Sequence, residues 1–443
     1  MPKTSQTTQT SWLDRPFLSN FKLNWETGII ALLLIAAVVT RFYGLGDRVM
    51  SHDETTHVYF SWQLFKGNGY AHDPLSHGPL QFHLIALSYF LFGDNDFTAR
   101  VPVAVFGVLT IWFVWWGFRR YLGRIGAVAA AFFFLISPYI LYYSRYARNE
   151  SWVALFGLAM LWGALRYLDS GENKYLYVTT AAIALHFTAK ETSFIYMAQI
   201  LLFLGFLFLV RIGNRKWAKA DRKQIFFTIF ILAASLFVLA IAAQMSTHSQ
   251  APVAVSSTDV QEPAVQGETE SAPASNLSLI PLVLGGAGLL ALLVSLYLLV
   301  TGLGWERLRG ERSFGVMLLI FTLALPHLAA FPIEWLRPDL NYTALRGIVL
   351  NWVNGGQLAS ADWNAIILMI ACVIFLFLVS AALGLTWSPK VWAINFALFF
   401  GIFIPLYSTM FTNGAGIFTG LVGSLGYWLE QQGVERGSQP WYF

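Results

Sequence analysis

Eleven stretches of roughly twenty mostly apolar residues punctuate this chain, each long enough as a helix to cross a ~30 Å hydrocarbon core. They lie near 28–44, 99–118, 125–143, 151–168, 174–190, 193–211, 224–244, 277–301, 315–333, 363–386 and 391–411. Inside lipid a backbone must satisfy its own polar groups, so runs of this length predict helices. Hydrophobic types make up 56% and charged types 12% of the 443 residues, against about 25% charged in a soluble domain. This balance excludes a soluble enzyme, a disordered chain and a nucleic-acid binder with a basic face. The expected fold class is an all-α polytopic membrane protein. Cys372 is the single cysteine, which rules out an internal disulfide or a cysteine metal site.

Charge sets the expected topology. Residues 1–27 are polar, carry Lys3, Arg15 and Lys22 and show no signal-peptide cleavage site, so they read as a cytoplasmic N-terminal segment. The run 79–93 is short, starts at Pro79 and holds Gln81 and His83. If it does not cross, 18 of the 28 basic residues fall on the cytoplasmic side. If it crosses, the asymmetry reverses, against the positive-inside rule. It is therefore expected to lie along the outer interface. The outer loop is then 45–98. A second outer segment, 245–276, has four carboxylates and no basic residue, the composition of a disordered tether. The basic stretch 211–223 reads as a cytoplasmic anchor facing anionic lipid. Segment 413–443 is expected outside. Its closing Pro-Trp-Tyr-Phe reads like the start of another interfacial or spanning helix, so the chain is expected either to continue past Phe443 or to end at the outer surface.

On that topology the chemistry-bearing residues gather at the outer face. The loop 45–98 opens with His52-Asp53-Glu54-Thr55-Thr56-His57 and carries five of the eight histidines. Adjacent carboxylates beside lipid are costly without a purpose, although an ordinary solvated loop start would read the same. Metal ligation by His and carboxylate is open chemically, but these spacings fit no tight motif. Ser144-Arg145-Tyr146-Ala147-Arg148-Asn149-Glu150 follows at a helix-to-helix turn. Its arginines suit an internal ion pair or a bound phosphate. Lys190-Glu191 closes the fifth run, where a snorkelling pair is the ordinary reading. Together Asp53, Glu54, His77, Arg145, Arg148, Glu150, Lys190 and Glu191 supply carboxylates for proton abstraction and cations for a phosphate, which points to group transfer from a lipid-linked phosphate.

The order of these phrases resembles the GT-C glycosyltransferases, in the branch of protein O-mannosyltransferases and the lipid A aminoarabinose transferase. Asp53-Glu54 with His57 stands where that branch has Asp-Glu and a His, displaced by one residue from the mannosyltransferase spacing. His77-Gly78-Pro79-Leu80 matches His-Pro-Pro-Leu with Gly for one Pro. Arg100-Val101-Pro102 matches an Arg-Leu-Pro phrase, Ser144, Arg145 and Glu150 match Ser-Arg-x4-Asp, and Lys190 matches a lone Lys. The likeness covers 28–212. The phrases HDETTH, SHGPL, SRYARNES, TAKETSF and RGSQPWYF are most similar to the flippase-activity-associated membrane proteins of archaea and bacteria.

The resemblance implies a GT-C-like bundle, with a catalytic module at 28–212 and a variable module at 213–412. It implies a glycosyltransferase that takes sugar from a polyprenyl-phosphate donor, with inversion, at the outer face of the plasma membrane. The acceptor class, whether protein, lipid or glycan, is open. By the same likeness Asp53 is the base, with Glu54 and Glu150 as further catalytic carboxylates. His57, His77, Arg145, Arg148 and Lys190 bind substrate. No cofactor follows with certainty; the group divides over metal use, which leaves a divalent cation open. The rival readings are a flippase-associated or transport protein for lipid-linked sugars, which would need paired charges deep in several spans, and a non-catalytic subunit.

Overall fold

The computed structural model describes residues 24–248 and 279–431. These residues are helical, with no strand among them. The expected tether lies, but for the end of one helix, outside them, as do 1–23 and the closing 432–443.

The chain divides into two units, 1–204 with 316–443, and 205–315. The first begins with α1 (Trp25–Phe42), which Asn24 caps by accepting from Thr27 N–H at 2.9 Å. The 14-residue α2 (His52–Phe65) and the 13-residue α3 (Leu80–Phe92) follow. At 1.5 Å per residue α3 is only about 20 Å long, too short to cross. The 41-residue α4 (Asp96–Ile136) is broken at Gly123, where φ is +70° and ψ is 179°. Its two limbs run in opposite directions beside α1. Buried Glu26, in the first turn of α1, bonds Trp115 and Arg119 from one limb and Arg124 from the other. Arg41, in the last turn, donates to Leu135 O at 3.2 Å. Only a residue tolerant of positive φ makes such a reversal cheaply, and glycine is that residue.

The short α5 (Pro138–Tyr143) leads to α6 (Glu150–Ser170), α7 (Asn173–Ala189) and the start of α8 (Ser193–Asn214). After the second unit the chain re-enters through α12 (Arg312–Ala324) and α13 (Ala330–Leu336), joined by a short 3-10 turn and bent by 44°. Next come α14 (Tyr342–Val353), α15 (Ser360–Trp387), α16 (Pro389–Tyr407), α17 (Ala415–Phe418) and α18 (Ser424–Gln431). Tyr407 donates to Phe187 O at 2.9 Å, and Thr180 to Asn395 at 2.7 Å, so α16 is pinned against α7.

The second unit is built on α9 (Ala220–His248), α10 (Leu279–Leu303) and α11 (Trp305–Arg309). The long pair is antiparallel: Arg222 meets Thr301 at one end, and Gly288 meets Ala233 farther along. Buried Glu311 accepts a hydrogen bond from Arg211 at 3.1 Å and forms an ion pair with Arg215 at 2.6 Å.

Eight described helices are long and apolar enough to cross a membrane, nine if the bent α12–α13 pair is one span. The expected eleven is reached only by counting α4 as two limbs and admitting the 17-residue α7. Large apolar side chains such as Leu32, Ile35, Leu202, Phe206, Leu239 and Leu290 stand exposed, while Glu26, Arg41, Glu54 and Arg100 are buried. That inside-out polarity suits a hydrocarbon solvent. In the first unit Arg120, Arg166 and Lys174 share one end of the bundle with Trp116 and Tyr175. The residues of the candidate site share another.

Candidate active site

The site starts from two adjacent carboxylates with different surroundings. Neighbours on a helix point about 100° apart. At the start of α2, Glu54 turns inward and is fully buried. Arg100 reaches it with Nε at 2.9 Å and Nη2 at 3.0 Å. Arg48 adds a bond at 2.9 Å, Ala147 N–H one at 2.9 Å and Ser51 N–H one at 3.3 Å. Burial works to raise the carboxyl pKa, but Arg100 and the amide donors outweigh it and hold the group below its ordinary value. Glu54 was expected to be catalytic. Here both its oxygens are spent fastening residues 45–54 to α4 and to the 144–149 turn, which makes it a clamp.

Asp53 turns the other way, with its side chain 46% exposed against 0% for Glu54. Arg148 donates to Asp53 Oδ2 at 2.6 Å. Its Nε lies 3.6 Å from Glu150 Oε1, and Lys190 Nζ donates to that same oxygen at 2.7 Å. The result is a chain of alternating charge, Asp53–Arg148–Glu150–Lys190. Helix ends place two of its members: Glu150 opens α6, where a carboxylate is favoured, and Lys190 caps the C-terminus of α7, where a cation is favoured. Glu150 Oε2 is buried and has no hydrogen-bond partner among the described residues.

His77 lies beside this chain. Its Nδ1 bonds Glu191 Oε2 at 2.8 Å, its ring stacks on Trp428 at 5.6 Å, and its carbonyl faces His72 Nε2 at 3.1 Å. Its φ is +67°, a strained value for a non-glycine residue. The next residue explains the departure from His-Pro-Pro-Leu. Gly78 N–H donates to Ala189 O at 3.2 Å, and a Cβ at 78 would sit 2.2 Å from Thr188 O. The His77 loop therefore docks directly on the backbone that presents Lys190. One turn along α2 from Asp53, His57 is buried against Phe82. Burial, reinforced by His77 and Arg148, pushes it down to about 3, so it is neutral at physiological pH.

Arg145 departs from expectation. Its guanidinium donates to Thr40 O at 2.8 Å, Tyr43 O at 2.7 Å and Gly44 O at 3.2 Å. These are carbonyls at and just beyond the C-terminus of α1, which otherwise lack intrahelical partners. Arg145 caps α1 and is not part of the charge chain. Sequence reasoning did not single out Arg100 as the partner of Glu54, although the Arg100-Val101-Pro102 phrase was the available signal. It gave Glu191 no role of its own and passed over Trp428, which comes from the far end of the chain and belongs to no motif.

Two cavities flank the chain of charges. One, of about 440 Å³, is lined mainly by apolar residues such as Phe134, Val153, Leu161 and Phe203, with Glu150 at its wall. The other, of about 500 Å³, is bordered by Lys190, Glu191, His77 and Trp428. No group of three His, Cys, Asp or Glu side chains among the described residues is arranged to hold a metal ion. The guanidinium of Arg148 bridges Asp53 and Glu150, so the two carboxylates are already balanced by a fixed cation and do not fit a divalent ion between them.

Residues 76–250 match the family model of dolichyl-phosphate-mannose-protein mannosyltransferase. A polyprenol-phosphate-mannose–protein mannosyltransferase of Corynebacterium glutamicum is 28% identical over 163 residues. That alignment takes in 33% of this chain and 31% of the relative, so the chain matches less than a third of the relative's length. Among solved structures, the archaeal oligosaccharyltransferase AglB from Archaeoglobus fulgidus, in complex with an inhibitory peptide and a dolichol-phosphate, superposes with a TM-score of 0.41 at 15% identity. It covers 96% of this chain and 54% of that one. ArnT from Cupriavidus metallidurans bound to undecaprenyl phosphate gives 0.35 at 15% identity, covering 91% and 79%.

Proposed function

We propose that this chain is an integral membrane glycosyltransferase that moves a sugar, in first place mannose, from a polyprenyl-phosphate donor to an acceptor hydroxyl. The site faces the outer side of the plasma membrane and the N-terminus is cytoplasmic. The observation that carries the reading is the split between Asp53 and Glu54. One carboxylate is locked away under Arg100, and the other is accessible on a chain of charges that ends at Lys190. The family match over 76–250 supports the donor class.

In this reading Asp53 accepts the proton of the acceptor hydroxyl as that oxygen attacks the anomeric carbon. Attack comes from the face opposite the phosphate, so the anomeric configuration inverts. The bond from the anomeric carbon to the phosphate oxygen breaks, and its electron pair leaves with the polyprenyl phosphate. Lys190 and Arg148 offset the negative charge that grows there. Glu150 holds Lys190 and Arg148 in register, and the neighbouring apolar cavity suits the first isoprene units. No step passes through a metal.

The non-catalytic rival, a transport or flippase-associated protein, is disfavoured by depth. The paired charges lie at helix ends and loops, such as the N-terminus of α6 and the C-cap of α7. The deciding experiment incubates the purified chain in lipid nanodiscs with radiolabelled polyprenyl-phosphate hexoses, with and without chelator. Transfer or slow donor hydrolysis that survives chelation is expected. Donor that binds but never turns over with any acceptor class would favour the rival.

A further inference from the structure

Glu191 is a buried carboxylate with one oxygen unused. The residue is 8% exposed, and its Oε2 receives the His77 Nδ1 hydrogen at 2.8 Å. Its Oε1 is buried without a hydrogen-bond partner among the described residues. Leaving such an atom unsatisfied is costly, and this one belongs to a residue on the wall of a 500 Å³ cavity. Trp428 borders the same cavity, and its Nε1–H is likewise buried without a partner. His77 completes the set. Its Nδ1 is engaged by Glu191, which leaves Nε2 as the ring's other polar atom. These groups, with Lys190, Thr192, Ser424 and Gln431, border a space otherwise walled by Phe194, Ile195 and Leu425.

We propose that this cavity, between the α7–α8 turn and α18, receives the sugar ring of the donor, with Glu191 as the carboxylate that accepts its hydroxyl hydrogens. The assignment deepens the glycosyltransferase reading above and depends on it. A pyranose ring matches the lining, because hydroxyls around its rim meet Glu191, His77 and Trp428 while its C–H faces meet the apolar walls. A phosphate in the same place would meet the Glu191 charge. The placement beside Lys190 also fits a phosphodiester. Lys190 lines this cavity and bonds Glu150, which lines the apolar one. A phosphate held at Lys190 therefore has on one side a cavity where Glu191, His77 and Trp428 set a few polar groups in apolar walls, suited to its sugar, and on the other a cavity suited to its chain. Glu191 is in this sense a specificity residue: it reads the glycosyl unit and leaves the lipid phosphate to Lys190.

The test measures binding of two probes to the full chain in nanodiscs, polyprenyl phosphate and polyprenyl-phosphate mannose, for wild type, Glu191→Gln and Trp428→Phe. Wild type is expected to bind the mannosylated lipid at least tenfold more tightly than the bare one. Glu191→Gln is expected to remove most of that difference while binding bare polyprenyl phosphate as wild type does. Trp428→Phe keeps an aromatic face but removes the N–H together with the pyrrole part of the indole, so it should lose a smaller part of the difference. It also carries the test if Glu191→Gln yields no monodisperse protein. An unchanged difference in the variants would overturn the assignment, as would equal weakening of both lipids, which would place phosphate or hydrocarbon in the cavity. A wild type that binds neither lipid would sink the glycosyltransferase reading itself.

Discussion

Arg100 holds Glu54 through two parallel bonds of 2.9 and 3.0 Å, with both side chains fully withdrawn from solvent. Removing one partner of a buried pair strands the other charge and costs about 3–5 kcal/mol. Glu54→Gln is therefore expected to lower the thermal midpoint and the yield of folded protein in detergent. Material that does fold should retain measurable transfer. Wild-type thermal stability in Glu54→Gln would contradict the clamp.

Asp53→Asn should act on chemistry. The amide keeps the shape and a partner for Arg148 but cannot take up the acceptor proton. Loss of a general base costs about 10² to 10⁴ in rate, so transfer should fall by that factor while donor affinity stays near wild type. Full activity in this variant would remove Asp53 from the base role.

Lys190→Ala should separate from both. The donor phosphate loses a charge-assisted partner worth roughly 1.5–3 kcal/mol, so donor affinity is expected to fall by about 10- to 100-fold. Glu150, left without the lysine at 2.7 Å, would also repel the phosphate. Donor titrations on the folded variant check this, and unchanged affinity would place the phosphate elsewhere.

Some of this arrangement was legible in the sequence, for a physical reason. Span length follows from apolar runs and expected sidedness from loop charge, so the gathering of Asp53, Arg148, Glu150 and Lys190 at one end of the bundle could be expected before any coordinates. Side-chain direction does not follow. Asp53 and Glu54 are the same chemistry one residue apart, and only the fold decides which of them meets Arg100. Arg145 and Arg148 are equally alike on paper. Arg145 is taken by the end of α1 because Thr40 and Tyr43 leave carbonyls open there, a fact that depends on where α1 stops. Trp428 reaches His77 across most of the chain, and no local pattern announces such a contact.

Gly78 offers a test of how the site is braced. A methyl group there would press on the Thr188 carbonyl at 2.2 Å, a contact that only backbone movement relieves. Overpacking of this kind costs roughly 1–3 kcal/mol. The displaced backbone leads directly into Lys190. Gly78→Ala should therefore lower both the thermal midpoint and donor affinity, whereas Gly205→Ala, where an added Cβ meets nothing within 4 Å, should lower neither.

Acid should weaken the fold through its buried histidines, and the sign can be worked out in advance. Burial pushes His57 and His72 down to about 3 in the folded chain, while an unfolded histidine titrates near 6.5. Between those values the unfolded state binds more protons, so their contribution is fully present above about pH 6.5 and is lost as the pH falls toward 3. Glu54 adds to the loss only lower down, because its folded value is depressed below the ordinary carboxylate range. Lowering the pH from 7 to 5 should therefore cost on the order of 1–2 kcal/mol for each of the two histidines, read as a falling thermal midpoint in detergent. His57→Phe, which keeps a ring beside Phe82, should remove one histidine's share of that slope. A slope equal to wild type in this variant would mean that His57 is not the buried neutral group described here.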